Sequence, residues 1–240
     1  MEVHHHPDLH HEPKKWKEYF LEFLMIFLAV TLGFFAENIR EHYSEEKNTR
    51  EYLETFQQEL NRNKNILNGE KKMLQEHEPI LDSLATIFDE GKENEDLKKT
   101  YSFLNYSVAV FTPRIETSAY QQMVNSGGLK NINNVALKDT LALYIDQIES
   151  YKAYNQYINN QLSNIAPEVL QIMDIRAVLK NDPVKKVHPF IIENDKERRF
   201  VVFFFSDIQD QYLGGISRSD EINKLNDKLL KLVNEEIKNE

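Results

Sequence analysis

The stretch YFLEFLMIFLAVTLGFFAENIREH, residues 19–42, constrains this chain more than any other. Phe23 to Ala36 carries no charge, and as a helix rising ~1.5 Å per residue it reaches roughly 21 Å. A hydrocarbon core of roughly 30 Å asks for about 17–25 residues. Counting from Tyr19 extends the reach to about 27 Å, with Glu22 included near the rim. Trp16 and Tyr19 then stand at the interface, with Lys14, Lys15 and Lys17 beyond them. Glu37, Asn38, Arg40, Glu41 and His42 mark the return to water. The stretch therefore reads as an uncleaved transmembrane helix over residues 16–40. A cleaved export signal needs small residues ahead of its cleavage site, and Phe34 and Phe35 precede Ala36. A buried helix of a soluble domain is the other reading, but FLMIF and GFF leave it no polar face.

Glu22, Ala29, Gly33, Ala36 and Arg40 fall on one face of that helix. Ala29, Gly33 and Ala36 would let a second helix approach closely, as small residues do in membrane dimers. They are equally the small residues that membrane helices carry without such a partner. An intramembrane carboxylate is a candidate functional group, yet Glu22 lies near the end of the span, where snorkelling is cheap. Three basic residues flank each side, and the closer spacing of Lys14, Lys15 and Lys17 favours an inside amino terminus. The expectation is a single-pass protein of the bacterial inner membrane, with residues 41–240 in the periplasm.

Composition narrows the partners. The formal net charge is -10, with no clustering of Lys and Arg that could replace DNA counterions, so no nucleic-acid partner is expected. No cysteine is present, which excludes disulfides, zinc-thiolate sites and thiol catalysis. Residues 1–15 hold His4, His5, His6, His10 and His11 among prolines. Imidazoles so spaced can bind transition metals, but the segment reads as a disordered tail without fixed geometry. No cofactor is expected.

Only seven glycines and seven prolines interrupt the chain, which favours long helices. Leu53, Leu60, Leu67, Leu74 and Leu81 lie seven apart, as a helix seam requires. Asn63, Glu70 and His77 interrupt that seam, and Gly69 and Pro79 should loosen or bend the helix. This helix is expected over about 41–90, ended by Gly91. A second runs over about 134–180, with Asn134 as its N-cap. Its seam from Leu137 to Leu179 alternates spacings of four and three, and only Asn155 and Arg176 in it are polar. A polar residue in such a seam can fix register, which makes Asn155 a candidate. Within 97–127 a helix from Leu97 to Phe111, a break at Pro113 and a short second helix are expected, with further helices over 195–213 and 216–238 and Asn194 and Glu197 forming a capping box. Gly127-Gly128 and Gly214-Gly215 read as helix stops. FVVFFF has strand propensity, but Phe200, Phe204, Ile208 and Tyr212 lie four apart and favour a helix. The fold class is thus all-α: a transmembrane helix continuing into an elongated antiparallel bundle with coiled-coil-like seams.

An antiparallel pairing of the two long helices would return residues 180–199 to the bilayer. That segment holds Lys180, Lys185, Lys186, Lys196, Arg198 and Arg199 against four carboxylates. Lys185, Lys186, Arg198 and Arg199 are accordingly candidates for lipid-headgroup contact, unless they merely solvate a loop. No hydrolase, metalloprotease, Walker or dinucleotide motif occurs, so no catalytic or metal-binding residue is assigned and no enzyme is expected.

KKWKEYFLEFLMIFLAVTLGFFAENIREH, followed by TREYLETFQQEL and TSAYQQMVNSGGLKNINN, resembles an uncharacterised family of single-pass bacterial inner-membrane proteins. Its members have a short polar tail, one amino-terminal span and a helical remainder. The resemblance implies membrane placement and carries no catalytic residues. The expected work is that of a scaffold or accessory protein binding the lipid bilayer, copies of itself or other membrane proteins. A signal-relaying ectodomain, or a subunit of an oligomeric ion pathway lined by Glu22, are the alternatives.

Overall fold

The computed structural model describes residues 15–107, 113–172 and 189–239. The fold is all-α, with no strand among the described residues. The helices are α1 (Trp16–Asp89), α2 (Leu97–Ser107), α3 (Ser118–Asn125), α4 (Val135–Gln171) and α5 (Asp195–Asn239), with a 3-10 turn at Gly128–Lys130. The histidine-rich tail, Lys185, Lys186, Arg176 and Leu179 lie outside the described residues.

A single helix of 74 residues joins the apolar stretch to the leucine seam. Gly69 and Pro79 both sit inside it. Pro79 is solvent-exposed, so the carbonyl that its missing N–H leaves free can bond water instead. The helix ends where expected, at Gly91, whose φ of 67° suits a residue without Cβ. Leu53, Leu60, Leu67 and Leu81 are at most 1% exposed. Their burial contributes roughly 2 kcal/mol each, and this holds residues 49–88 against the rest of the bundle.

The chain then runs back along α1 through α2, residues 113–117 and α3. The break expected at Pro113 falls between α2 and α3, and α3 ends just before the stop expected at Gly127-Gly128. Asn63 grips the stretch between these two helices by both edges of its amide: Nδ2 donates to Glu116 O at 2.7 Å and Oδ1 accepts from Glu116 N at 2.8 Å. Further down, Glu59 accepts the Ala119 N–H at 2.7 Å and the Ser118 hydroxyl at 3.0 Å, so it caps α3. The return leg ends at Gly127 (φ 76°). The ring of Tyr52 lies close enough to Gly128 that a Cβ there would meet Cδ2 at 3.0 Å. The YQQMVNSGGLKNI run thus forms the turn at the stalk end of the bundle, with Met123 and Ile132 fully buried beneath it.

Because this leg consumes the bundle's length, α4 starts at the same end as the packed part of α1. Asn131 Nδ2 donates to Thr49 Oγ1 at 3.3 Å, and Asn63 Nδ2 donates to Tyr144 OH at 3.2 Å. Contacts advance together along both chains, so α4 runs parallel to α1. The antiparallel pairing expected of these two helices is corrected on that ground. The antiparallel partner of α1 is α5: Lys64 pairs with Asp227, Lys71 with Asp220, and Gln209 with Glu78.

The helix expected to stop at Gly214-Gly215 does not stop, and α5 is one helix of 45 residues. A Cβ at Gly215 would meet Leu74 Cδ1 at 2.9 Å, and one at Gly214 would strike the Tyr154 hydroxyl. The pair lets α5 approach α1 and α4, which offsets a helix-propensity cost of about 1 kcal/mol per glycine. FVVFFF is helical, as expected. Both expected caps are present: Asn134 Oδ1 accepts from Leu137 N at 3.0 Å, and Glu197 reaches back to Glu193 N at 2.8 Å.

The absence of cysteine makes the helix pairing open to a clean crosslinking test. In a Lys64→Cys/Asp227→Cys variant, a short bis-maleimide should crosslink within one chain. The Lys64→Cys/Asp210→Cys pair, more than two helical turns out of register, should remain uncrosslinked on gels.

Candidate functional site

Two polar layers cross the centre of the bundle, each made by one residue from α1, α4 and α5. The first holds Asn63, Tyr144 and Asn226; the second holds Glu70, Tyr151 and Ser219. Each residue of the second layer lies seven positions from its counterpart in the first. All six are at most 1% exposed. The same spacing places Phe56, Leu137 and Val233, also buried, in the layer on the stalk side. Seven residues span about 10.5 Å of helix, so the polar layers are stacked like the hydrophobic ones and belong to the same seam.

In the first layer the Tyr144 hydroxyl accepts from Asn63 Nδ2 and Asn226 Nδ2, each at 3.2 Å. Asn226 Nδ2 also reaches the Leu60 carbonyl at 2.9 Å. Burial, partly opposed by these two amides, pushes the Tyr144 pKa up to about 12. In the second layer the Tyr151 and Ser219 hydroxyls lie 3.1 Å apart, and Tyr151 also bonds Glu70. Burial, with the Glu70 carboxylate next, pushes the Tyr151 phenol well above its ordinary value. Both tyrosines are thus neutral groups at any physiological pH.

Glu70 is the unusual member. Burial raises its pKa from 4.5 to about 7, with the Tyr151 hydrogen bond pulling weakly the other way. A carboxyl of this kind exchanges a proton near neutrality, while most side chains around it do not. Seen from Glu70, α4 presents Tyr151 and Asn155, and α5 presents Ser219, Gln211 and Tyr212. Asn155, the seam residue singled out from spacing, is half-buried and stands one turn along α4 from Tyr151.

The other sequence candidates do not gather at this site. Ala29, Gly33 and Ala36 lie on the exposed part of α1, and a Cβ on Gly33 would meet nothing within 4 Å. Glu22 lies on the same segment and is partly covered. Arg198 is at the opposite end of the bundle. It donates to both carboxylate oxygens of Glu93, at 2.9 and 3.0 Å, and to the Phe88 carbonyl. Glu93 is buried, which raises its pKa, but the Arg198 bond and the backbone bond prevail and hold the carboxyl below its ordinary range. Arg199 is exposed at the same end. Phe88 stands some 75 Å along α1 from Glu37, so contact of Arg198 and Arg199 with the bilayer that α1 would span loses its geometric basis.

Sequence reasoning marked Asn63, Glu70 and Asn155 as polar interruptions of seams. It did not mark Glu59, Ser219, Gln211 or Asn226. The signal for Ser219 and Asn226 was their spacing of seven, visible only once α5 is known to be one helix. Among the described residues, no group of three His, Asp or Glu side chains is placed to hold a metal ion. Comparison with protein-family models, curated proteins and solved structures returned no match to this chain.

The Glu70 carboxyl predicts a signed pH dependence. Its folded pKa lies above the unfolded value, so its contribution to stability is fully present below about pH 4.5. That contribution is lost as pH rises through about 7, an effect of about 3 kcal/mol. Chemical denaturation of the wild type and a Glu70→Gln variant at pH 4.5, 6 and 8 checks this. The difference in unfolding free energy between the two should shift by that amount in favour of Glu70→Gln as pH rises, and should level off above pH 8.

Proposed function

We propose that this chain is a membrane-anchored helical scaffold or accessory protein of the bacterial inner membrane. Residues 16–40 cross the bilayer once, the amino terminus faces the cytoplasm, and the bundle stands in the periplasm. It works by binding copies of itself or other membrane proteins and performs no catalysis.

The observation that carries this reading is the contrast along α1. Its most apolar window, with mean hydropathy 2.1, is 0% buried, although the same helix buries its seam from Thr49 onward. Trp16, Phe20, Phe23, Ile26, Phe27 and Phe34 all stand more than half exposed. Apolar surface of this extent is stable in lipid or against another protein, and not in water. From Trp16 to Asn48 the helix projects about 50 Å beyond the bundle, enough for a span and a short stalk. A transmembrane helix is the arrangement that satisfies every backbone group within the bilayer.

Two features favour a scaffold over a ligand sensor. The cavity in the middle of the bundle, between the three long helices, measures about 20 Å³, far below the roughly 300 Å³ at which small-molecule pockets begin, and the larger clefts among the described residues, of about 560 and 900 Å³, lie open at the bundle's two ends. The bundle is also tied together by layers that fix one register, which suits a rigid spacer.

Fractionation tests the anchoring. The full chain should stay with membranes through alkaline carbonate and dissolve only in detergent, whereas a chain lacking residues 16–40 should be recovered in the soluble fraction. Protease added to spheroplasts should degrade the bundle. Protection until the inner membrane is ruptured would reverse the proposed orientation.

A further inference from the structure

We propose that Glu70, Asn155 and Gln211 form a built binding site for a single water molecule, through which α1, α4 and α5 are hydrogen-bonded to one another. Each of these residues lines the cavity of about 20 Å³ beside the second polar layer. Each also brings one buried polar atom with no protein partner: Glu70 Oε2, Asn155 Nδ2 and Gln211 Oε1. The remaining wall is Leu74, Ile158, Asn159 and Leu162, with Tyr212 and Gly215 from α5.

The inventory selects the occupant. Two acceptors and one donor go unmet, and a water molecule supplies two O–H donors and a lone pair to receive the third bond. A sodium or ammonium ion could serve the two oxygens but has no lone pair for the Asn155 N–H. A halide could accept from Asn155 but would face the Glu70 carboxylate and the Gln211 oxygen. Size agrees with chemistry: a water needs about 10–15 Å³ of such space and two to four polar partners, and the cavity offers both with no room for an organic ligand.

The geometry around the site is held from several directions. Gln211 Nε2 donates to Asp207 at 2.6 Å, which leaves the amide oxygen for the cavity. Gly215 keeps the α5 backbone against Leu74, so the cavity is closed on that side. Glu70 is only 1% exposed, and its other contact is Tyr151. The groups facing the carboxyl across the site are Tyr151 from α4 and Tyr212 from α5, both phenols, and the amides of Asn155 and Gln211. The nearby Arg218 guanidinium stacks on the Tyr154 ring, 4.4 Å from its centroid. With protonated Glu70 the carboxyl can turn its own O–H toward the water, which still has a lone pair to accept it. The site therefore keeps its occupant in both protonation states, and the water serves as the partner for a proton that Glu70 takes up near neutrality.

Water-selective rotating-frame NMR on the full chain in lipid nanodiscs, labelled with 15N at Asn and Gln side chains, tests the assignment. The probe is bulk water itself. The Asn155 amide protons should show a direct cross-peak to water, opposite in sign to exchange peaks, and Glu70→Gln should retain it because an amide oxygen remains. In Glu70→Leu/Gln211→Leu, which removes both acceptors together, the cross-peak should fall at least tenfold. A wild-type protein without the cross-peak overturns the proposal. So does a cross-peak of unchanged strength in the double variant, which would have to come from a tyrosine hydroxyl. Should the double variant fail to fold, the Asn155→Leu chain replaces it. There the Gln211 amide signals should keep their positions while the long-lived water is lost from 17O relaxation dispersion, and retention of that water counts against the site.

Discussion

The backbone hydrogen-bond ladder of α1 binds together two surfaces of opposite character, one packed in the bundle and one apolar and uncovered. From Thr49 to Phe88 the helix buries leucine and phenylalanine against α3, α4 and α5, and this burial is what makes it stable in water. From Trp16 to Ala36 it buries nothing within the protein, and in the proposed reading lipid surrounds it. Between them, residues 37–48 belong to neither surface. Their helix rests on local side-chain contacts one turn apart: ion pairs of Arg40 with Glu37 and Lys47 with Glu51, and a contact of His42 with Glu46. Exposed to solvent, each such contact contributes little. The stalk is thus the least supported part of the rod and the place where a partner would have most influence over how the bundle stands.

The bundle itself places polar groups where apolar ones would give more stability. Asn63, Tyr144, Asn226, Glu70, Tyr151 and Ser219 occupy the centre of a three-helix seam, and several of their neighbours leave a buried atom without a protein partner. Each unmet group costs about 1–3 kcal/mol. What the layers provide is uniqueness of register. A slip of one heptad between α1 and α5 would set Asn63 against Val233 in one direction, or Phe56 against Asn226 and Glu70 against Tyr212 in the other, and would keep only one lysine–aspartate pair where there are now two. Buried polar residues fixing register is an attested use of such groups in helical bundles. If the chain is the spacer proposed above, one fixed register is worth more to it than maximal stability.

Helix type, the α4 seam, the Asn134 cap and the Asn194–Glu197 box were all legible in the residues, because each depends on neighbours three, four or seven positions away. The direction of α4 was not. Periodicity reports which face of a helix is buried and says nothing about which helix covers it. The direction was settled by the return leg of α2 and α3, whose Glu59 and Asn63 anchors look in the sequence like ordinary polar residues of a long helix. Gly214-Gly215 illustrates the same limit: the missing Cβ that ends one helix allows close approach in another, and only Leu74 and Tyr154 on the facing helices decide between the two. The expectation for residues 180–199 rested entirely on the direction of α4 and changed with it. Of the polar site, Asn63, Glu70 and Asn155 were visible as breaks in apolar seams. Ser219 and Asn226 were not, since the assumed stop at the glycines hid the continuity of α5.

The central claim is that one unbroken helix joins the proposed span to the bundle. Pulsed electron-spin distance measurement tests it directly, with spin labels introduced as Glu37→Cys and Glu76→Cys in the cysteine-free chain reconstituted into lipid nanodiscs. Both positions are exposed on α1, and a continuous helix separates them by about 58 Å. The account predicts a single narrow distribution close to that distance. A broad distribution, or a peak more than about 10 Å shorter, would mean that the stalk bends or melts between bilayer and bundle, and the continuous rod would have to be abandoned.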